Sequence, residues 1–522
     1  MMEFRLELRV RGCAAALLLA LLAPAGAAGL PATATIHADQ PGAKIDRHIY
    51  GQFAEHLGRG IDEGVWVGED SKIPNVRGIR RDVVAALREL HVPVVRWPGG
   101  CFADEYHWRD GIGPRASRPV RLNTNWGGVP ENNAFGTHEF LDFVQLIGSE
   151  AYVNGNVGTG SPQEMAEWLQ YLTSDKPTAL TAERARNGHP DPWKIAYFAV
   201  GNETWGCGGN MRVDHYVDVF RQYATFLKTP VGARPALIAS GGHDVETSWT
   251  EGLIEKGGED LGAISFHYYT IPGEHWSHKG PAVGFGAEQW ISTLAHTLRM
   301  EDFIRANAAI MDKYDPQRKV SFAVDEWGTW YDAETGREPG FLYQQNTLRD
   351  AVVAALNFNI FHQHAERVRM TAIAQMVNVL QAMILTRGPQ MVLTPTYHVF
   401  HMFRPFQDAT FLPTDLQTPR YTLGSSSVPA VSVSAARTAS GAIVVALVNL
   451  DPTNEMPVSL SLAGAAPRTV KGELLTAAAL DAHNTFETPD AVHPTRFTGA
   501  SLKSGKLSLT LPAKSVAVLN LE

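Results

Sequence analysis

Cysteine is scarce in this chain: three residues, Cys13, Cys101 and Cys207, in 522. So few cannot staple a fold of this size, and their spacings do not make a zinc module, so an apolar core must supply the stability. Charge is sparse too. Charged residues make up 19%, no basic run occurs, and the formal net charge is −9 at pH 7. Such a chain lacks the electrostatic footprint for gripping phosphate backbones, which argues against nucleic acid as a partner. No apolar run reaches the roughly 20 residues a membrane helix needs. No G-x-G-x-x-G follows the first strand-like run, and G-x-S-x-G and H-E-x-x-H are absent. These gaps disfavour a dinucleotide fold, a serine-hydrolase elbow and a zincin-type metal site.

What is present is globular composition, 44% hydrophobic, with 12 Trp. Flat indole faces suit sugar rings, although core packing accounts for most Trp. At the N-terminus Arg5, Arg9 and Arg11 precede the apolar run 14–23, followed by Pro24 and Ala25-Gly26-Ala27-Ala28. This pattern predicts a signal peptide over 1–28, with cleavage near Ala27 or Ala28. The expectation is an exported protein, periplasmic or extracellular, with no membrane association once the signal is removed.

Between residues 49 and 388 short apolar runs alternate with helical patterns. The runs are 49–53, 92–97, 151–157, 195–200, 236–240, 263–267, 320–324 and 368–374. Between the first two, Ile79, Val83, Val84, Leu87 and Leu90 share one helical face. Ser161-Pro162-Gln163-Glu164 reads as an N-cap, an N1 proline and a capping-box glutamate. Eight such units predict an α/β fold, a (β/α)8 TIM barrel, rather than an open doubly wound sheet. From 389 to 522 the period becomes two, as in Val458, Leu460 and Leu462 or Leu507, Leu509 and Leu511, which predicts a C-terminal all-β sandwich. Residues 29–48 are expected to add an N-terminal strand to it.

In such barrels catalytic groups lie at the C-terminal ends of the strands. The first run ends in Gln52-Phe53-Ala54-Glu55-His56, the second in Arg96-Trp97-Pro98-Gly99-Gly100-Cys101-Phe102 and the fourth in Gly201-Asn202-Glu203. The sixth ends in His267-Tyr268-Tyr269, the seventh in Asp325-Glu326-Trp327, and the eighth reaches Gln375. Two glutamates, after strands four and seven, are what retaining glycoside hydrolysis needs: an acid for the leaving oxygen and a nucleophile about 5–5.5 Å away. Taken singly, each has a bland reading. Glu55 and Asp325 could be caps or solvated loop charges, and Asp325 should point to the opposite side of its strand from Glu326. Arg96 could simply pair with a buried carboxylate, Trp126 and Trp330 could be core, and Gln375 a satisfied core amide. His267, His275 and His278 lack metal-site spacing.

Gly201-Asn202-Glu203 with Asp325-Glu326-Trp327 resembles clan A of the glycoside hydrolases. Together with Gly51–Arg59, Arg96–Phe102, Asp110–Pro114 and Ser265–Tyr269, the set resembles the α-L-arabinofuranosidases of glycoside hydrolase family 51, from about residue 34 to the C-terminus. The resemblance implies Glu203 as general acid/base, Glu326 as nucleophile and Asn202 as partner of the sugar 2-hydroxyl. It implies Glu55, Tyr269 and Gln375 as groups that bind the sugar or orient the nucleophile. Arg96 is then a buried arginine beside the nucleophile, and Trp126 and Trp330 are aromatic walls. Cys101 is a pocket contact at a position where many members carry Asn. Cys101 and Cys207 both follow strand ends on one face, and either bridge the barrel mouth or remain separate thiols.

The expected function is a secreted, retaining, exo-acting α-L-arabinofuranosidase that needs no cofactor and no metal. Its substrate would be an arabinose-containing oligosaccharide or plant polysaccharide. A homo-oligomer is compatible with a family whose members are often multimeric. The alternatives are another clan A glycosidase, a β-xylosidase or an endo-β-glucanase, or a silent glycan-binding protein.

Overall fold

Parallel strands that are apolar on both faces can be buried only if helices cover them outside and neighbours fill them inside. Here they close on themselves. The computed structural model describes residues 31–229, 234–503 and 505–522; the expected signal peptide lies outside the described residues. The barrel strands are β1 (Gly51–Phe53), β2 (Val94–Trp97), β3 (Glu150–Gly155), β4 (Ile195–Val200), β5 (Ala236–Ala239), β6 (Leu261–Thr270), β7 (Ser321–Thr329) and β8 (Val368–Ile373). Each pairs in parallel with the next, and β8 closes on β1.

Val94, Tyr152, Ala199, Ile238, Ala263, Ala323 and Met370 fill the barrel interior, three alanines making room for the larger side chains. β1 is shorter than its apolar run, because Ile49 and Tyr50 belong to a tight turn, Arg47–Tyr50, capped by the Asp46 carboxylate on the His48 N–H. β6 and β7 are longer than their runs and carry Tyr269 and Glu326 to the rim. The helix Pro162–Thr173 starts at Ser161, whose hydroxyl accepts from the Glu164 N–H at 3.1 Å.

The stretch after 389 is not all strand. Residues 395–403 form a helix, and Tyr397 donates to the Ala86 carbonyl of the helix Arg81–Glu89 at 3.0 Å, so this segment packs on the barrel. Beyond it lie two facing sheets, one of six strands and one of five. Ala32–His37 sits within the five-stranded sheet, parallel to Met456–Ala463.

The sandwich docks on two barrel helices, Ala287–Tyr314 and Leu348–Gln363. Trp290 donates its indole N–H to the Leu450 carbonyl at 2.9 Å, and Asn359 donates to Ser432 at 3.0 Å. Leu348–His362 is buried along its whole length, since both faces are covered. At this seam His362 touches Ser434 at 2.9 Å and the Tyr50 hydroxyl at 2.7 Å, and burial lowers its pKa to about 3.

The native state therefore keeps His362 neutral, while the unfolded chain protonates it below about pH 6.5. Stability should fall as pH drops below that value, by up to about 1.4 kcal/mol per unit, until the folded pKa is reached. His362→Gln should flatten this acid slope in thermal melts; an unchanged slope would show that other groups carry it.

Candidate active site

At the rim of β7, Glu326 is held from two sides. Tyr269 on β6 donates its hydroxyl to Glu326 Oε2 at 2.7 Å, and Arg96 on β2 donates to Oε1 at 2.8 Å. The same guanidinium donates to Asn202 Oδ1 at 2.5 Å and lies 4.6 Å above the Phe53 ring. Gly100 is required by this approach, because a Cβ there would meet Glu326 Oε1 at 2.7 Å. Asp325 does not turn to the opposite side of its strand as expected: the strand is irregular between Val324 and Trp327, and Asp325 meets the same Arg96 and His267 that Glu326 meets. Asp325 is fully buried, accepting from the Tyr152 hydroxyl at 2.6 Å and the Ser265 hydroxyl at 2.5 Å, with Arg96 Nε 3.7 Å away.

Glu203 follows β4 in the left-handed region, φ +40°, which is unusual for a residue with a side chain. Its carbonyl accepts from Gly206 and Gly208, and the turn rests on Asp104. Asp104 Oδ2 accepts from the Asn202 N–H at 2.8 Å, and Oδ1 from Val157 at 2.7 Å and Gly158 at 3.1 Å. Burial pushes Asp104 up to about 7 despite these bonds. Asp104 escaped the sequence reading because nothing in the chain shows that a residue after β2 braces the turn after β4.

Glu55 is no solvated loop charge. Its Oε1 accepts from Gly100 N–H at 3.0 Å, Phe102 N–H at 3.1 Å and the Trp126 indole at 2.9 Å, and Gln375 donates to Oε2 at 2.9 Å. Burial, reinforced by the Glu326 carboxyl, pushes Glu55 up to about 7. Trp126 and Trp330 are partly buried and pack with Tyr269 and Leu342 around Phe53. The Trp330 ring lies 5.1 Å from that of Tyr269, and half-exposed Trp276 continues the aromatic edge at 5.5 Å from Trp330. Cys101 is bonded to Cys207, with Cα atoms 5.5 Å apart, joining the loops after β2 and β4. Glu203, Glu326, Glu55, Arg96, Asn202, Tyr269, Trp126, Trp330, Gln375 and Cys101 thus gather at one mouth.

His267 was undervalued in the sequence. Its Nδ1 lies 2.8 Å from Glu203 Oε1 and 3.6 Å from Glu326 Oε2, and its Nε2 is 3.3 Å from Asp325. The signal was its parity with Tyr269, since residues two apart on a strand share a face. Glu203, His267 and Glu326 bring ligand-type atoms within 4.8 Å of one another, but the imidazole already bridges the carboxyls as a hydrogen-bond partner.

Burial opposes charging His267, yet Glu326, Asp325 and Glu203 together raise it to about 10. Against the same burial cost, Arg96 and His267 hold Asp325 well below the usual carboxylate range. Because the folded pKa of His267 is raised, its contribution to stability is full below the unfolded value of about 6.5 and is lost as pH rises through about 10. His267→Gln should therefore cost about 3–5 kcal/mol near pH 6, as expected when one partner of a buried ionic group is removed. The gap from wild type should narrow toward pH 10. A pH-independent gap in denaturant unfolding would refute the charged imidazole.

Comparisons with known proteins agree with this geometry. The α-L-arabinofuranosidase 1 domain model matches residues 86–280, and the α-L-arabinofuranosidase C-terminal domain model matches 325–515. An intracellular exo-α-L-arabinofuranosidase of Bacteroides ovatus is 47% identical over 94% of this chain and 96% of its own length. An intracellular exo-α-(1→5)-L-arabinofuranosidase of Streptomyces lividans is 29% identical over 90% of this chain and 72% of its own. The crystal structure of the family 51 arabinofuranosidase from Xanthomonas axonopodis pv. citri superposes with a TM-score of 0.93, at 54% identity, over 94% of this chain and all of that one. The expectation of export is overturned here, since two of these relatives are named intracellular. An arginine-rich start and an apolar run resemble a signal in composition alone, and composition is a weaker guide to compartment than full-length relatives. With both domain models and near-complete coverage by close relatives, the chain belongs to the α-L-arabinofuranosidases of glycoside hydrolase family 51.

Proposed function

We propose that this enzyme acts inside the cell as a retaining, exo-acting hydrolase that releases terminal non-reducing arabinofuranosyl residues from arabinose-containing oligosaccharides by double displacement. The reading rests on one observation above all: carboxyl oxygens of Glu203 and Glu326 lie within 4.8 Å of each other. That suits the separation of about 5–5.5 Å for a nucleophile and an acid, and leaves no room for the water that an inverting pair, about 6.5–9.5 Å apart, must hold.

In this reading Glu326 attacks the anomeric carbon. Tyr269 and Arg96 fix which oxygen is presented, and Arg96 also turns the Asn202 amide toward the sugar beside the nucleophile. Glu203 gives its proton to the departing glycosidic oxygen, and an arabinofuranosyl ester of Glu326 forms. Glu203 then takes a proton from water as the water attacks the same carbon. The ring of Glu55, Gln375 and Trp126 is positioned to bind hydroxyls at the far side of the sugar. No step draws on a cofactor.

Hydrolysis of p-nitrophenyl α-L-arabinofuranoside, set against the xylopyranoside and a β-glucan, tests the activity. Preference for the arabinofuranoside is expected. Preference for either other substrate would favour a β-xylosidase or an endo-β-glucanase, and inactivity on all three a binding protein.

The two glutamates should also differ in kind. Glu326→Ala should abolish turnover, and azide should restore it by filling the vacated space and giving an inverted glycosyl azide. Glu203→Ala should slow substrates with poor leaving groups by about 10²–10⁴-fold while sparing the first step for activated aryl glycosides. Equal losses across leaving groups would make Glu203 a binding group.

A further inference from the structure

The bridge between Cys101 and Cys207 lies against the carboxyl assigned above as the acid/base. Cys207 Sγ is 3.7 Å from Glu203 Oε2, and both sulfurs and a Glu203 oxygen fall within 4.8 Å of one another. Cys207 is exposed, and Cys101 and Glu203 are partly exposed, so reductants and ions reach all three. Glu203 and Cys207 belong to one tight turn, pinned where Gly206 and Gly208 donate to the Glu203 carbonyl. The backbones run so close here that Gly208 has no room for a side chain, since a Cβ would strike the Asn202 carbonyl at 1.8 Å.

We propose that, once this bridge is reduced, the Cys101 and Cys207 thiolates and the Glu203 carboxylate form a binding site for one divalent cation of the zinc class. The inhibitory consequence rests on the reading of Glu203 as acid/base; the binding does not. Reduction is a simple exchange. Two external thiols, or one dithiol, give up two electrons and two protons, the sulfur–sulfur bond breaks, and the reductant leaves as its own disulfide. Metal binding then displaces the two thiol protons. Tetrahedral zinc with bonds of about 2.3 Å needs its sulfurs about 3.8 Å apart. The backbone separation of 5.5 Å between the two Cα atoms allows that opening by side-chain rotation. Two soft sulfurs with one carboxylate select zinc-like ions over magnesium or calcium. The fourth position faces the open mouth and is left to water.

A cation on Glu203 occupies the lone pairs that must carry the catalytic proton, so occupancy stops leaving-group protonation. The oxidised enzyme lacks the two sulfur ligands and should be indifferent to the same ion. The bridge would then work as a guard: intact, it keeps soft metal out of the acid/base; broken, it admits it.

The full-length enzyme reduced with a phosphine, freed of reductant and checked for two titratable thiols and an unchanged circular dichroism spectrum, is compared with the oxidised enzyme. One equivalent of Zn2+ should lower hydrolysis of a poor-leaving-group arabinofuranoside by roughly 100-fold in the reduced form, the worth of a general acid. EDTA should restore it. Co2+ in place of Zn2+ should give a thiolate-to-cobalt charge-transfer band in the reduced protein alone, and Glu203→Gln should keep the band but bind Co2+ more weakly. A band with no loss of activity would uphold the site and overturn Glu203 as acid/base. Equal inhibition of the oxidised form, no thiolate band, Co2+ affinity unchanged in Glu203→Gln, or thiols that appear only on unfolding would each overturn the proposal.

Discussion

The structure turns on the Arg96 guanidinium. A pocket with four buried or half-buried carboxyls, Glu55, Glu203, Asp325 and Glu326, cannot form in a low-dielectric interior without compensating charge. Arg96 reaches Glu326, Asn202 and the Asp325 backbone carbonyl at once, and it is itself desolvated and stacked on Phe53. His267 supplies the second positive centre among Glu203, Asp325 and Glu326. The two cations divide the acids. Asp325, fully buried and touched by both, is held ionised, whereas burial, with the Glu326 carboxyl beside it, pushes Glu55 toward neutrality. Neighbouring carboxyls with opposed environments are the arrangement that lets one donate a proton while another stays a base.

Much of this was legible in the chain because a parallel barrel writes itself as buried runs, and because function collects where those runs end. Glu203 and Glu326 could be singled out since each follows an apolar run and the two are needed together. What was illegible is tertiary. Whether Cys101 meets Cys207 depends on a Cα separation that no spacing encodes. His267 looked like one loop histidine among three, because its charge comes from carboxyls contributed by β4 and β7. Asp104 acts across two strands on backbone N–H groups, which leaves no mark on side-chain pattern. The helix 395–403 was hidden in a region whose period is otherwise two. Its Thr394-Pro395 start, with Thr394 accepting from the Tyr397 N–H, was the signal that could have disclosed it.

The loops after β2 and β4 behave as one unit. Gly99 and Gly100 are small because Glu55 and Glu326 come within reach of where a Cβ would stand. The chain then turns so that Phe102 can donate to Glu55, and Asp104 reaches back to the Asn202 N–H. Cys101, between them, is tied to Cys207 on the far side of the Glu203 turn. A residue held at φ +40° persists only when its surroundings over-determine it. Around Glu203 the surroundings are Asp104 beneath, the glycine N–H groups behind and the sulfur bridge beside.

The sandwich enters the chemistry through a longer chain of contacts. It covers the outer face of Leu348–Gln363, which permits that helix to be apolar on both sides and rigidly placed. The helix begins at Thr347, where Asp350 closes a capping box by accepting from the Thr347 N–H at 2.7 Å. The other oxygen of Asp350 accepts from Thr329 and Tyr331, each at 2.7 Å, and these residues flank Trp330 at the end of β7. Gln381 joins the same knot by donating to the Asp350 carbonyl while its own oxygen accepts from the Thr329 N–H. The strand end that presents Glu326 and Trp330 is thus fixed by a buried carboxylate, the carboxylate by a helix start, and the helix by the sheet packed over it. The C-terminal domain thereby helps set the position of an aromatic wall and a carboxyl at the mouth, because buried polar knots of this kind have a single satisfied arrangement.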